Sequence, residues 1–452
     1  MLLVARYVLP VSGPHIENGA VLVRQGRIED IGYATKLKIR YPEEETRDFG
    51  LSALMPGFVD THTHLESSAM RGLILDVPYA AWKLHIVEKE GLFTPQDWED
   101  SAYLGTLEAV KSGITTVADI TATGASRFAV QNVGLRGVIY REVGTMERKE
   151  VDHVLDDAFA QIADWRSSAE SDRLQIGIAP SALHACHPLV FQKTAEYAAD
   201  GTPLAIHLAG SKEEYEFIRY GSSPFSVHSI EQERGYGIDM PPWLATGVSP
   251  VRYILNWGVL SAPNVLAIHC VHVDDADIDV LAEHDVAVAV CSRCNAQLAM
   301  GVAPLPKFIK AGLRIGLGTD SPAATSNIDP IAEMRIGLLL HRALGTRAEF
   351  LTAAQMVRYA TLGAAQALHI DDQVGSLEVG KQADIIAIDL SNSNQAPTHD
   401  PNSAIVHTAT QDNIILNMVG GTILYDGNQH RHSIDLERVL ARSEEMRLKL
   451  RR

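Results

Sequence analysis

PGFVDTHTHLE, residues 56–66, is the stretch on which the reading of this chain turns. Its middle, GFVDTH (57–62), has the apolar and β-branched texture of a strand covered on both faces, and the chain leaves it through a second histidine, His64. Seven further runs of the same kind follow: ITTVADI (114–120), GVIYREVG (137–144), LQIGIAP (174–180), PLAIHL (203–208), NVLAIHC (264–270), VAVAVC (286–291) and RIGLGTD (314–320). Helical stretches separate them, the alternation of βα units around a parallel sheet. The pattern predicts an α/β fold, a (β/α)8 TIM-like barrel occupying residues 55–374.

Outside the barrel the texture changes. Residues 1–54 read as short β segments, with AVLVRQGRIEDIG as a hairpin about a Gln-Gly turn. Similar glycine-punctuated, β-branched runs return in VGSLEVGKQADIIAIDL and NIILNMVGGTILYDG. Residues 1–54 and 375–430 are therefore expected to pair as one small composite β-sandwich domain. Residues 431–452 have helical spacing and end in basic side chains that suit a helix C-terminus, so a C-terminal helix is expected there.

Composition narrows the function classes. The 452 residues are 46% hydrophobic and 21% charged, the balance of a globular protein with ample chain for a large core. With 39 basic against 56 acidic residues the net charge is −17, and no basic cluster offers a footprint for nucleic acid or an anionic membrane. Small-molecule partners are favoured, and association as a homodimer is left open. The opening MLLVARYVLPVSG lacks the pattern of a secretion signal, and no apolar run reaches membrane-spanning length, so the cytoplasm is the expected compartment. The four cysteines, Cys186, Cys270, Cys291 and Cys294, are too few for a disulfide scaffold. Cys291 and Cys294 form a C-x-x-C, but no second pair follows at zinc-site spacing and no thioredoxin-like unit surrounds it, so a structural role is expected.

The chemistry-bearing residues gather at strand ends. In a (β/α)8 barrel, reactive groups sit where strands end and βα loops begin, because those loops surround one open face. His62, His64, His207, His269 and Asp320 all fall at or just past the C-terminal ends of the predicted strands. In His62-Thr63-His64 the two imidazoles are one residue apart and point to the same side, so both can reach one ion. His207 and Asp320 would complete a set of neutral nitrogens and one carboxylate, suited to a single divalent ion, Zn²⁺ or Fe²⁺. Taken singly, His207 reads equally well as a core histidine and Asp320 as a helix cap.

PGFVDTHTHLE, AIHL, AIHCVHV and GLGTDSP occur in the order and spacing of the amidohydrolase superfamily, and GSLEVGKQADIIAID resembles its closing G-x-L-x-x-G-K-x-A-D signature. The likeness spans nearly the whole chain. Within the superfamily the chain resembles the mononuclear aminohydrolases, which include adenosine-type, methylthioadenosine, guanine and aminofutalosine deaminases and the triazine chlorohydrolases. HTHLESSAMRG, EEYEFIRYGSSPF, SPVRYILNWGVL and LAIHCVHV are similar to segments of aminofutalosine deaminases. The resemblance implies His62, His64, His207 and Asp320 as metal ligands, His269 as a group polarising water or the leaving group, and Asp320 as proton acceptor. It implies one ion, because no lysine stands near the end of the fourth strand, where binuclear members carry a carbamylated bridge. It implies hydrolytic deamination of an aminopurine nucleoside-like substrate.

Two departures bear on that reading. Deaminases of this branch read H-x-x-E after the fifth strand, whereas this chain reads His207-Leu208-Ala209-Gly210, and glycine cannot move a proton. Glu213 or Glu214, on a following helix, would lie about a turn away. The family's P-H-A-P-Y after the fourth strand is replaced by Pro180-Ser181-Ala182-Leu183-His184, leaving His184 or His187 to fill that space or to face solvent. Glu66, Trp82, His184 and Glu213 are the expected substrate contacts, with Tyr79 beside Trp82; ordinary helix packing is the competing account of both aromatic residues. Arg293 and Asn295 stand past the seventh strand with a weaker case. Three outcomes stay open: a deaminase with a rearranged proton route, a hydrolase of another C–N or C–X bond on a heteroaromatic ring, and a catalytically weak small-molecule binder.

Overall fold

The computed structural model describes residues 1–168, 172–226, 245–346, 350–427, 429–431 and 434–451. Each of the eight expected runs forms a strand: Phe58–Thr63, Ile114–Thr121, Arg136–Val143, Leu174–Pro180, Leu204–Leu208, Val265–His269, Ala287–Val290 and Ile315–Leu317. They pair in sequence order and in parallel. The last strand is the shortest because Gly318 and Thr319 leave the ladder early. The barrel closes through a parallel bridge between Thr63 and Asp320, where the Asp320 N–H donates to the His62 carbonyl at 2.9 Å.

Alternation along these strands sorts their side chains. Val59, Ala118, Ile120, Val138, Tyr140, Ala205, Ala287 and Ala289 share one buried cluster that fills the barrel. Val117, Ile139, Ile176, Ile178, Ile206, Val288 and Val290 belong to another, shared with the surrounding helices. The barrel is thus a packed core whose open face begins only where the inward-facing residues become polar.

The two chain ends build a nine-stranded mixed sheet. Ile385–Asp389 lies antiparallel to Ser52–Pro56, with Ile385 opposite Pro56 and Asp389 opposite Ser52, and this pairing joins the N-terminal strands to the C-terminal ones. The Gln-Gly turn is real: Arg24 pairs with Arg27, and Gln25 and Gly26 have φ of 49° and 77°, as a two-residue type I′ turn requires. A Cβ at Gly26 would meet the Gly420 carbonyl at 2.7 Å, so glycine is needed there for contact as well as conformation. Asp384 fastens sheet to barrel by accepting from the buried Arg136 at 3.0 Å.

The tail forms the helix Leu436–Leu450, started by Asp435, whose side chain accepts from the Arg438 N–H. Its apolar face buries Val439, Met446 and Leu450. Its basic face meets the helix Pro95–Lys111: Arg442 reaches Asp97 at 3.0 Å and Asp100 at 2.9 Å, and Lys449 also contacts Asp97. Among the described residues, no helix is long and apolar enough to cross a membrane.

Candidate active site

The first strand delivers His62, 1% exposed, and the chain then turns into a short 3-10 helix, Leu65–Met70, at His64. The fifth strand delivers His207 and the sixth His269. Asp320 follows the eighth. Both His269, with φ of 74°, and Asp320, with φ of 62°, adopt the left-handed conformation that non-glycine residues rarely take. Such strain is characteristic of functional sites, and here it turns both side chains inward.

The five side chains converge. His64 Nε2 lies 3.4 Å from His207 Nε2, and His62 Nε2 lies 3.4 Å from Asp320 Oδ1. Two donors 2.0–2.1 Å from one zinc ion at the tetrahedral angle stand about 3.4 Å apart, so these separations suit a shared ion. The donor atoms of His62, His64 and His207 lie within 4.8 Å of one another, as do those of His62, His269 and Asp320. Among the described residues, His62 Nε2 is buried without a hydrogen-bond partner, a cost that a coordinated cation would remove.

Electrostatics prepare the same set. Burial pushes the His62, His64 and His207 imidazoles below their ordinary range, so all three are neutral donors at pH 7. Burial alone would raise Asp320, but its coupling to the His62, His269 and His64 rings outweighs burial and holds the carboxyl below its ordinary range, so it is ionised at pH 7. This neutral-nitrogen and carboxylate chemistry fits a divalent metal ion.

His269 is held differently. Its Nδ1 lies 3.0 Å from Asn295 Oδ1, an acceptor, which fixes the proton on Nδ1 and leaves the Nε2 lone pair on the cavity side, 3.7 Å from Asp320 Oδ2. Burial pushes His269 down to about 4. At neutral pH it is a proton acceptor rather than a cation.

Two carboxylates within the strand runs hold the first strand's end in place. Asp60 accepts from the Thr319 N–H at 2.9 Å and hydroxyl at 2.6 Å, tying the first strand to the eighth. Asp119 accepts from Thr63 Oγ1 at 2.8 Å and the Leu65 N–H at 2.7 Å. Burial raises each to about 7 against these hydrogen bonds. Neither entered the sequence reading, although a charge inside VDTH or VADI was the available signal, because a buried carboxylate must find partners.

A cavity of about 280 Å³ opens on this cluster, with His64, His207, His269 and Asp320 on its lining. Glu66 and Trp82 line it as well. Glu66 accepts from Thr121 Oγ1 at 2.6 Å, the Ala122 N–H at 2.8 Å and Thr123 Oγ1 at 2.7 Å, while burial raises its carboxyl. Trp82 is buried on the helix Tyr79–Glu90 and donates to the Ala323 carbonyl at 3.3 Å, which holds this helix across the mouth. Tyr79, Lys83, Glu90, Trp98 and Glu142 complete that side.

His184 and Glu213 stand elsewhere: among the described residues neither lines this cavity. His184 stacks on Phe225 with ring centroids 3.7 Å apart, and burial pushes it to about 3. Glu213 is half-buried in the first turn of the helix Lys212–Tyr220. Its neighbour Glu214 is buried and accepts from the Ala209 N–H at 2.6 Å, supporting the backbone after the fifth strand instead of facing the cavity. A Cβ at Gly210 would meet His269 Cδ2 at 3.1 Å. Arg293 faces away, donating to the carbonyls of Thr325 and Asn327. The four cysteines are buried free thiols, and Cys294 lines the cavity.

A (β/α)8 barrel with imidazoles and one carboxylate converging at its C-terminal rim defines a metal-dependent hydrolase of small molecules. The amidohydrolase family model matches residues 53–424. The chain is 30% identical over 439 residues to a 5-methylthioadenosine/S-adenosylhomocysteine deaminase of Thermodesulfovibrio yellowstonii, covering 94% of this chain and 93% of that protein. Its fold is similar to that of a zinc-bound adenosine deaminase from Xanthomonas campestris, with TM-score 0.85, 24% identity and coverage of 100% and 98%. It is similar also to the zinc complex of atrazine chlorohydrolase from Arthrobacter aurescens, with TM-score 0.82, 24% identity and coverage of 98% and 99%. The chain belongs to the amidohydrolase family.

Proposed function

We propose that the protein deaminates an aminopurine nucleoside-like substrate with water, using one zinc ion held by His62, His64, His207 and Asp320. The observation that carries this reading is the gathering of those donors in two groups that share His62, with His64–His207 and His62–Asp320 each 3.4 Å apart, beside a cavity walled by Trp82, Trp98 and Tyr79. Aromatic faces suit a heteroaromatic ring, and Glu90 and the remaining lone pair on Glu66 Oε1 offer acceptors to ring N–H groups or sugar hydroxyls. The relatives named as methylthioadenosine/adenosylhomocysteine deaminases and the zinc-bound neighbours support the same reaction and ion, while iron remains the second choice for this donor set.

A divalent ion held by these residues would supply Lewis acidity and lower the pKa of water into the neutral range. The chain's own groups do the rest. Asp320, ionised at neutral pH, accepts a proton as water adds to the ring carbon. His269, with its lone pair turned to the cavity, holds the departing nitrogen or the attacking oxygen. The helix Tyr79–Glu90, fastened through Trp82, excludes bulk water from the ring. The reading also has the protein acting on a soluble substrate in the cytoplasm.

The test is ammonia release from adenosine, 5′-methylthioadenosine, S-adenosylhomocysteine and aminofutalosine by zinc-loaded protein. Turnover of at least one is expected; no ammonia from any removes the deaminase reading. Gly210 favours a second reading, hydrolysis of a different C–N or C–X bond on a similar ring, which 6-chloropurine riboside tests through chloride release.

A further inference from the structure

Deamination requires a proton at the ring nitrogen as oxygen adds to the neighbouring carbon, and Gly210 offers none. Four carboxylates face the cavity among the described residues: Glu66, Glu90, Glu142 and Asp320. Asp320 belongs to the donor cluster. Glu66 has both oxygens occupied, Oε1 by the Ala122 N–H and Oε2 by the hydroxyls of Thr121 and Thr123. Glu90 is half-buried at the C-terminal end of the helix Tyr79–Glu90, off the barrel strands that carry the donor cluster.

Glu142 differs from all three. It follows Val138 and Tyr140 on the inward face of the third strand, so it is the first polar residue above the packed barrel interior. Ser181 Oγ donates to its Oε1 at 2.8 Å, and among the described residues no donor addresses Oε2. Ser181 is itself one of the two departures from the family pattern, so the residue standing where a histidine is expected is the one that holds this carboxylate.

We propose that Glu142, held by Ser181, is the proton-transfer carboxylate of this site. The proposal rests on the deaminase reading. As water's oxygen bonds to the ring carbon, the C=N π pair moves to the ring nitrogen, and Glu142 takes a proton of the water and delivers it there. The new hydroxyl then passes its remaining proton through Asp320 to the amino group. The C–N bond breaks with its electron pair on the leaving nitrogen, ammonia departs, and the carbon becomes a carbonyl. The ring nitrogen keeps the delivered proton, and Glu142 ends as it began.

The experiment compares wild-type, Glu142→Gln and Ser181→Ala proteins, zinc-loaded and full length, on whichever panel nucleoside the wild type deaminates. Zinc content and quenching of tryptophan fluorescence by inosine or 5′-methylthioinosine are measured in parallel. The expected result for E142Q is a kcat lower by about 10²–10⁴-fold, the range of general acid–base catalysis, with KM, product affinity and zinc content within about threefold of wild type. S181A is expected to lose about tenfold in kcat through its misplaced carboxylate. An E142Q enzyme keeping more than a tenth of wild-type kcat, or one whose KM alone rises, overturns the proposal while the deaminase reading stands. If E142Q fails to bind product, S181A decides, and full turnover in that variant overturns the proposal. Absence of ammonia with the wild type removes both.

Discussion

The two walls of the cavity are built on different principles. One wall is the ends of strands one, five, six and eight, where His62, His207, His269 and Asp320 project from a hydrogen-bonded sheet and are braced by Asp60, Asp119 and Asn295. The other is the helix Tyr79–Glu90, Trp98 and the ends of strands three and four, held by Trp82 on Ala323, Glu142 on Ser181 and the salt bridges of the C-terminal helix. The first wall has one geometry it can serve, because an ion tolerates little displacement of its donors. The second has side chains that can be exchanged while the barrel stays intact. A family can therefore keep its ion and change its substrate, and both departures noted in this sequence, Gly210 and Ser181, avoid the proposed ligands.

Substitutions on the two walls should separate by size and by kind. The largest effect is expected for His207→Ala and Asp320→Ala, which should lose most bound zinc by elemental analysis and at least about 10³-fold in turnover; full occupancy in both would end the distinction between the walls. Next, Asn295→Ala should cost about 10–100-fold in kcat with zinc retained, because His269 loses the partner that fixes its proton. Unchanged kcat would show that the His269 tautomer does not matter. On the opposite wall, Trp82→Ala should raise KM about tenfold and move kcat less, as measured by steady-state kinetics with the panel nucleoside.

The smallest effect concerns stability. Burial would raise Asp97, but hydrogen bonds from Lys449 and Thr94 outweigh it and hold the carboxyl at about 2, below its ordinary 3.8. A depressed carboxyl stabilises the fold above its unfolded pKa and loses that contribution as pH falls through the folded one. The C-terminal helix should therefore be secure at pH 6 and loosen between about pH 4 and pH 2, by about 1–2 kcal/mol. Thermal melts across that range check this, and Asp97→Asn should flatten the acid limb.

The fold was largely legible because parallel barrel strands are buried on both faces and declare themselves as apolar runs. The donor cluster was legible for a related reason: polar residues at the ends of such runs have one open face to project into. What escaped was lateral. Asp60, Asp119 and Glu142 are held by partners such as Thr319, Leu65 and Ser181, brought beside them only by the closed sheet. Glu213 failed as a cavity residue because helix phase turned its neighbour Glu214 toward the strand backbone at Ala209, a rotation that spacing alone does not set. His184 was diverted by stacking on Phe225.

The seam where the eighth strand meets the first has a consequence for biogenesis. Thr63 and Asp320 bridge that seam, and the proposed donors lie on both sides of it. A growing polypeptide presents His62 and His64 early but cannot offer a complete coordination sphere until its last barrel strand has docked. Cation capture would then act as a late stitch across the closure, marking a finished barrel and discouraging it from reopening.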